Sequence, residues 1–234
     1  MTETNLVDYY AKRASEYERI YQKPERQANL KRLQWILSEA FAGFDLLEIA
    51  CGTGYWTQFA SRSAKSILAT DFNEEVLSIA REKDYGDCPV RFVKSDAFVM
   101  DEVDGSFSAA LIAFWWSHVP RSKLDDFLQL LHSKLSRGAA IIMLDNRYVD
   151  GSSTPLSRTD DGGNTYQMRK LSDGSKYEVL KNFPTPTEFT ERIEPMAKDC
   201  KFMELDYYWL AQYTLKDTCR GAHVPDERPC SADT

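Results

Sequence analysis

The stretch Leu46-Leu47-Glu48-Ile49-Ala50-Cys51-Gly52-Thr53-Gly54 carries an apolar run straight into a Gly-x-Gly turn. Glycines at 52 and 54 tolerate backbone angles closed to other residues and let a ligand approach the chain without meeting a Cβ. Two more acids follow at strand-end positions. Asp71 closes the run Ser66–Asp71, and Asp96 follows Val90–Lys94 in Ser95-Asp96-Ala97. A carboxylate so placed can accept two hydrogen bonds from a sugar diol. The chemistry implied is the grip of backbone and carboxylates on a small ligand. Farther on, Phe114-Trp115-Trp116-Ser117-His118-Val119-Pro120 supplies aromatic walls and one imidazole.

These residues need a frame, and the hydrophobic periodicity provides one. Asp45–Ala50, Ser66–Asp71, Val90–Lys94, Phe107–Ala113 and Ala139–Asp145 read as short apolar strands. Between them lie helical stretches: Thr53–Ser63, a segment capped by Asn73, and Leu124 to Leu135 behind a Ser122/Asp125 capping pair, with Gly138 as its stop. Leu30, Leu33, Leu37 and Phe41 predict an earlier helix. Strand–helix alternation with continuously apolar strands means an α/β fold, a doubly wound, mostly parallel sheet with helices on both faces. Ligands of such sheets bind beyond the carboxyl ends of the strands, where all three acids fall.

After Asp145 the pattern changes. Residues 150–163 have a loop composition, and Thr165–Lys170 with Lys176–Lys181 flank Asp173-Gly174 as a hairpin. Thr187 to Lys198 reads as a helix and Phe202–Leu215 as extended, so antiparallel elements are expected at the C-terminal edge. The expected organisation is a single domain over 1–216. Within it, 1–42 is an N-terminal helical part and 148–182 an inserted loop and hairpin; 217–234 is expected as a flexible tail.

Glu48-x-Ala50-x-Gly52-x-Gly54, with Asp71 and Asp96 downstream, resembles the class I methyltransferases that depend on S-adenosylmethionine (SAM). The resemblance covers about residues 45–146 and the flanks only loosely. It implies SAM as methyl donor and S-adenosylhomocysteine (SAH) as product. It also implies that Ala50, Gly52, Thr53 and Gly54 cradle the methionine part, with Glu48 near its amine. Asp71, with Phe72 beside it, would hold the ribose, Asp96 and Ala97 the adenine, and Phe114 the methionine site. A nicotinamide-binding Rossmann fold shares the strand-turn-helix physics but wants a third glycine where Thr57 stands. A SAM-binding regulator without turnover also stays open.

Methyl transfer from a sulfonium is an in-line displacement that mostly needs the nucleophile held close and water excluded. His118 is the candidate base, or a group that orients the acceptor, with a purely structural histidine equally open. Trp115 and Trp116 are expected to split, one ring in the core and one facing ligand. The Tyr9-Tyr10-x-x-Arg13-Ala14-x-x-Tyr17 pattern is similar to the lid helix of related small-molecule enzymes, which implies Tyr10 and Arg13 on the cofactor and Tyr17 on the acceptor. Arg147, Tyr148, Tyr166 and Arg169 are expected near an anionic or aromatic acceptor. Asp145-Asn146 resembles half of a catechol-type metal site, but Phe114-Trp115 stands where the other half needs an acid, so no metal is expected. The family also closes its sheet with two final strands, and residues 200–216 contain no Gly or Pro turn between them.

Composition narrows the partners. With 36 acids against 29 Lys and Arg the net charge is −7, and no basic cluster suggests a nucleic-acid face. The amino terminus has no signal-peptide pattern and no apolar run could span a bilayer, so a cytoplasmic protein, a monomer or homodimer with a small-molecule acceptor, is expected. Five cysteines without a Cys-x-x-Cys pair fit a reducing compartment.

Overall fold

A computed structural model describes residue 9 and residues 13–217, with the side chains of 14, 15 and 17 outside that description. Tyr10, the Tyr17 side chain and residues 218–234 of the expected tail lie outside the described residues.

Seven strands form the main sheet: β1 (Asp45–Ile49), β2 (Ser66–Asp71), β3 (Val90–Lys94), β4 (Phe107–Ala113), β5 (Leu135–Asn146), β9 (Ala197–Glu204) and β10 (Tyr208–Leu215). Their spatial order is β3-β2-β1-β4-β5-β10-β9, parallel through β5, with β10 antiparallel to both neighbours. The order reverses between β1 and β4, and this reversal creates the ligand crevice of doubly wound sheets. Alternate side chains serve opposite faces, as a period of two requires. Leu47 and Ile49 join the cluster under α4 (Leu124–Ser133) and α5 (Pro186–Ile193). Leu46 joins the one under α1 (Gln27–Ala40) and α3 (Glu74–Arg81).

A separate three-stranded sheet, β6 (Leu156–Thr159), β7 (Thr165–Lys170) and β8 (Lys176–Leu180), lies within the insert. The Asp173-Gly174 hairpin forms as expected, Gly174 taking φ +87°. It does not extend the main sheet; β9 and β10 do that alone.

Several boundaries differ from the sequence reading. The helix after the glycine turn shrinks to α2 (Thr57–Ala60). Residues 121–123 coil as a 3-10 turn ahead of α4, with no side-chain cap bond. Gly138 does not stop a helix. It sits inside β5 at φ +69°, where the register against β4 shifts. The aromatic N-terminal segment Ala14–Gln22 is a 3-10 helix. No helix among the described residues is long and apolar enough to cross a membrane.

Candidate functional site

The crevice is flanked by backbone in an unusual conformation on both sides. Ala50, just past β1, has φ +54°, and Phe114, just past β4, has φ +61°. Non-glycine residues enter that region at a cost of about 1–3 kcal/mol and do so mostly where function holds them there. Gly52 and Gly54 follow at +57° and +75°. A Cβ on Gly54 would stand 2.3 Å from the Tyr85 hydroxyl and 3.1 Å from Ala80 Cβ, so a side chain there would have to displace Tyr85 and would be strained at φ +75°.

Asp71 organises this turn. Its Oδ2 accepts from the Gly52 N–H at 2.9 Å and its Oδ1 from the Asn73 N–H at 2.9 Å. Burial raises its pKa, to about 6, against those backbone bonds. Glu48 lies beneath, fully buried, and neither carboxyl oxygen has a hydrogen-bond partner. Burial pushes it up to about 8, with the Asp71 charge adding to the rise and nearby Thr57 offsetting part of it, so Glu48 is protonated at neutral pH. Asp96 accepts from the Phe98 N–H at 2.8 Å, its loop neighbour Ser95 carries a buried, unpartnered hydroxyl, and Phe72 is exposed. Unsatisfied buried oxygens and a left-handed turn fit a ligand with an amine and hydroxyls, as SAM is.

The N-terminal segment closes over this side. Thr53 donates to Glu18 Oε1 at 2.7 Å, and Lys83 pairs with the same carboxylate. Tyr21 stacks on Tyr55 with centroids 3.9 Å apart and accepts from the Trp56 indole at 2.9 Å. Phe114 stacks on Trp56.

Past Phe114 lies a cavity of about 100 Å³, walled by the N-terminal segment, the ends of β4 and β5, and the small sheet. His118 lines it. Its Nδ1 bonds the Leu180 carbonyl at 2.8 Å, and a carbonyl only accepts, so Nδ1 carries the proton and Nε2 is the acceptor atom. Burial and the Lys181 charge lower its pKa to about 3, which keeps the ring neutral. Lys181, 4% exposed, pairs with the buried Asp145 at 3.0 Å, and Ser117 N–H donates to the same carboxylate at 3.0 Å. Arg13, bonded to the Tyr9 hydroxyl at 2.6 Å, lines this cavity rather than the glycine turn.

Four expected acceptor residues are elsewhere. Trp116 packs in the core between Phe189 and Trp209, the ring of the pair that went inside. Arg147 turns to the sheet edge, donating to the Leu205 carbonyl at 2.7 Å and pairing with Glu204. Tyr166 binds Asp160 at 2.8 Å under the Arg158 guanidinium. Trp115 does not line the cavity either; it packs 5.7 Å from Phe98 and 6.4 Å from His118. Sequence reading missed Lys23, Arg26 and Lys181. A lysine closing the strand-like stretch Tyr177-Glu178-Val179-Leu180 was the one available signal for the last.

Comparison with known proteins agrees with this geometry. A methyltransferase-domain family matches residues 46–138. A demethylmenaquinone methyltransferase of Clavibacter sepedonicus is 37% identical over 92 residues, a match spanning 38% of each chain. Solved complexes of DhpI with SAH, and with SAM and HEP, superpose with TM-scores of 0.70 and 0.71 at 28% and 27% identity. They cover 92% and 91% of this chain and 99% of DhpI in both. Strand order, a left-handed glycine turn with three acids at or near strand ends, and these likenesses together show the fold of the class I SAM-dependent methyltransferases.

Proposed function

We propose that the chain transfers a methyl group from SAM to an O, N or S nucleophile of a small molecule seated in the cavity past Phe114. The single supporting observation is adjacency: the turn at 50–54 and the cavity meet across Phe114 at the point where strand order reverses. When bound, SAM supplies an activated methyl on a sulfonium. In this reading the turn receives its methionyl part, the Asp71 carboxylate its ribose, and Asp96 with Ala97 its adenine. The aromatic cover of Tyr21, Tyr55 and Trp56 excludes water. His118 orients the acceptor rather than storing a proton, since a ring with a pKa of about 3 is a weak base at neutral pH.

Calorimetric titration with SAM, SAH and NAD tests this. Binding of SAM and SAH but not NAD is expected. Gly52→Val, which forces a branched side chain into φ +57°, and Asp71→Ala should each weaken SAH by about 100-fold or more, with circular dichroism unchanged. NAD binding, or wild-type SAH affinity in both variants, would overturn the reading. SAM binding without conversion to SAH across a metabolite pool would mark a regulator instead.

A further inference from the structure

The cavity is built for charge of one sign. Arg13, Lys23, Arg26, Arg169 and Lys181 line it, and no Asp or Glu does among the described residues, although acids outnumber bases in the whole chain. Among the described residues, neutral groups meet three of these cations. Arg26 donates to Asn146 Oδ1 at 3.2 Å and Ser152 Oγ at 3.0 Å. Lys23 donates to the Ser152 carbonyl at 3.1 Å, and Arg169 to Thr154 Oγ1 at 2.9 Å and Gln167 Oε1 at 2.6 Å. Lys181 is met from behind by Asp145.

Two further observations point to a ligand. Arg26, one of the lining residues, is 7% exposed, and its Nε–H is buried without a hydrogen-bond partner. The cations also disfavour one another. Lys23 is lowered by burial and by Arg26 and Arg169, with Glu25 offsetting part, and Lys181 by burial and by Arg169 and Arg13, with Asp145 offsetting part. A further anion among them would relieve the repulsion that remains.

The same wall offers only a weak proton acceptor. Asp145 is engaged by Lys181, Ser117 and Asn146, and His118 faces Lys181, Arg169 and Asp145. A nucleophile that first had to lose a proton would find only the neutral His118 ring, a weak base, to take it.

We infer that the methyl acceptor is a small oxyanion, carried on carbon or on phosphorus, and that the methyl lands on one of its own already deprotonated oxygens. The inference rests on the SAM-dependent reading above. An oxygen lone pair forms the O–CH3 bond, and the S–CH3 bond breaks with its electrons returning to sulfur. The sulfonium becomes a thioether, the acceptor loses one negative charge as it becomes an ester, and no proton moves. Arg26, Arg169 and Lys181 hold the remaining oxygens and fix the approach.

The test uses the full chain saturated with SAH, so cofactor binding is measured first and separately. Inorganic phosphate and acetate are then titrated in. Binding of at least one is expected, the tighter of the two telling a phosphorus from a carbon acid. Arg169→Gln should weaken the anion by about tenfold while SAH affinity stays within about twofold. Lys23→Gln, on an exposed side chain, should act in the same direction without touching the small sheet. With methyl-labelled SAM, turnover should move the label onto a carboxylic or phosphonic acid as its methyl ester, base-labile for the carboxylate and base-stable for the phosphonate. SAH binding with no anion binding, anion affinity unchanged in both variants, or turnover of a neutral quinone that phosphate fails to inhibit would each overturn the inference. Failure of SAH to bind would sink the cofactor reading instead.

Discussion

The two sides of the crevice carry opposite charge and are built in opposite ways. On the side of β1 to β3, Glu48, Asp71 and Asp96 stand at successive strand ends within one stretch of sequence. On the side of β4, β5 and the insert, cations come from residues 13–26 and from β7 and the end of β8, segments far apart in the chain. A donor that brings a sulfonium and an ammonium suits the first side, and an anionic acceptor suits the second. The field across the crevice would sort the two reactants before any close contact forms, because low-dielectric walls strengthen such fields.

The largest expected effect comes from breaking the basic side at its root. Lys181→Met strands the buried Asp145 charge, and an unpaired buried charge costs about 3–5 kcal/mol. Urea unfolding should register that loss, and replacing Asp145 by Asn in the same chain should recover part of it. A loss under about 1 kcal/mol would mean that the pair anchors neither the cavity wall nor β8.

A smaller effect of opposite sign is expected on the acidic side. The folded-state pKa of Glu48 lies above its unfolded value, so the native state binds the extra proton and wild-type stability falls as pH rises from 4.5 to about 8. Glu48→Gln removes that dependence. Without ligand the variant should be more stable than wild type at pH 8, by about 2–4 kcal/mol, and indistinguishable near pH 4. In the proposed reading Glu48 faces the methionyl amine, so SAM affinity should drop in the same variant above about pH 8, where wild type carries the carboxylate. Identical pH profiles for the two proteins would show that Glu48 is not strained by burial.

The smallest effect sharpens the contrast. Lys23 is exposed and its contribution to anion capture is screened by salt. Lys23→Gln should weaken phosphate by about two- to threefold at low ionic strength and by almost nothing at 0.5 M, while SAH binding is indifferent to both changes. Equal effects on SAH and phosphate would erase the distinction between the sides.

The same contrast explains what could be read from the chain. The parallel core and the acidic side were legible because periodicity, the Gly-x-Gly turn and the strand-end acids are local patterns. The basic side depends on docking. Nothing near Arg26 announces that Asn146 and Ser152 will receive it, and nothing near Arg147 or Tyr166 announces that Glu204 and Asp160 will claim them instead. Trp115 and Trp116 are neighbours in sequence. Only the position of α5 decides which one Phe189 covers.

The final hairpin was illegible for a related reason. Its turn, residues 205–207, has no glycine or proline. The Tyr207 N–H donates to Asn29 Oδ1 and Asn29 Nδ2 donates to Asp206, each at 3.0 Å, from α1 near the other end of the chain. Such a turn has little local reason to close by itself. The loop that brings residue 29 to residue 207 spans most of the polypeptide, and its entropy must be overcome before these bonds repay it. The last two strands should therefore join late in folding, after α1 has docked, and a nascent chain still short of them exposes the side of β5 that β10 will cover.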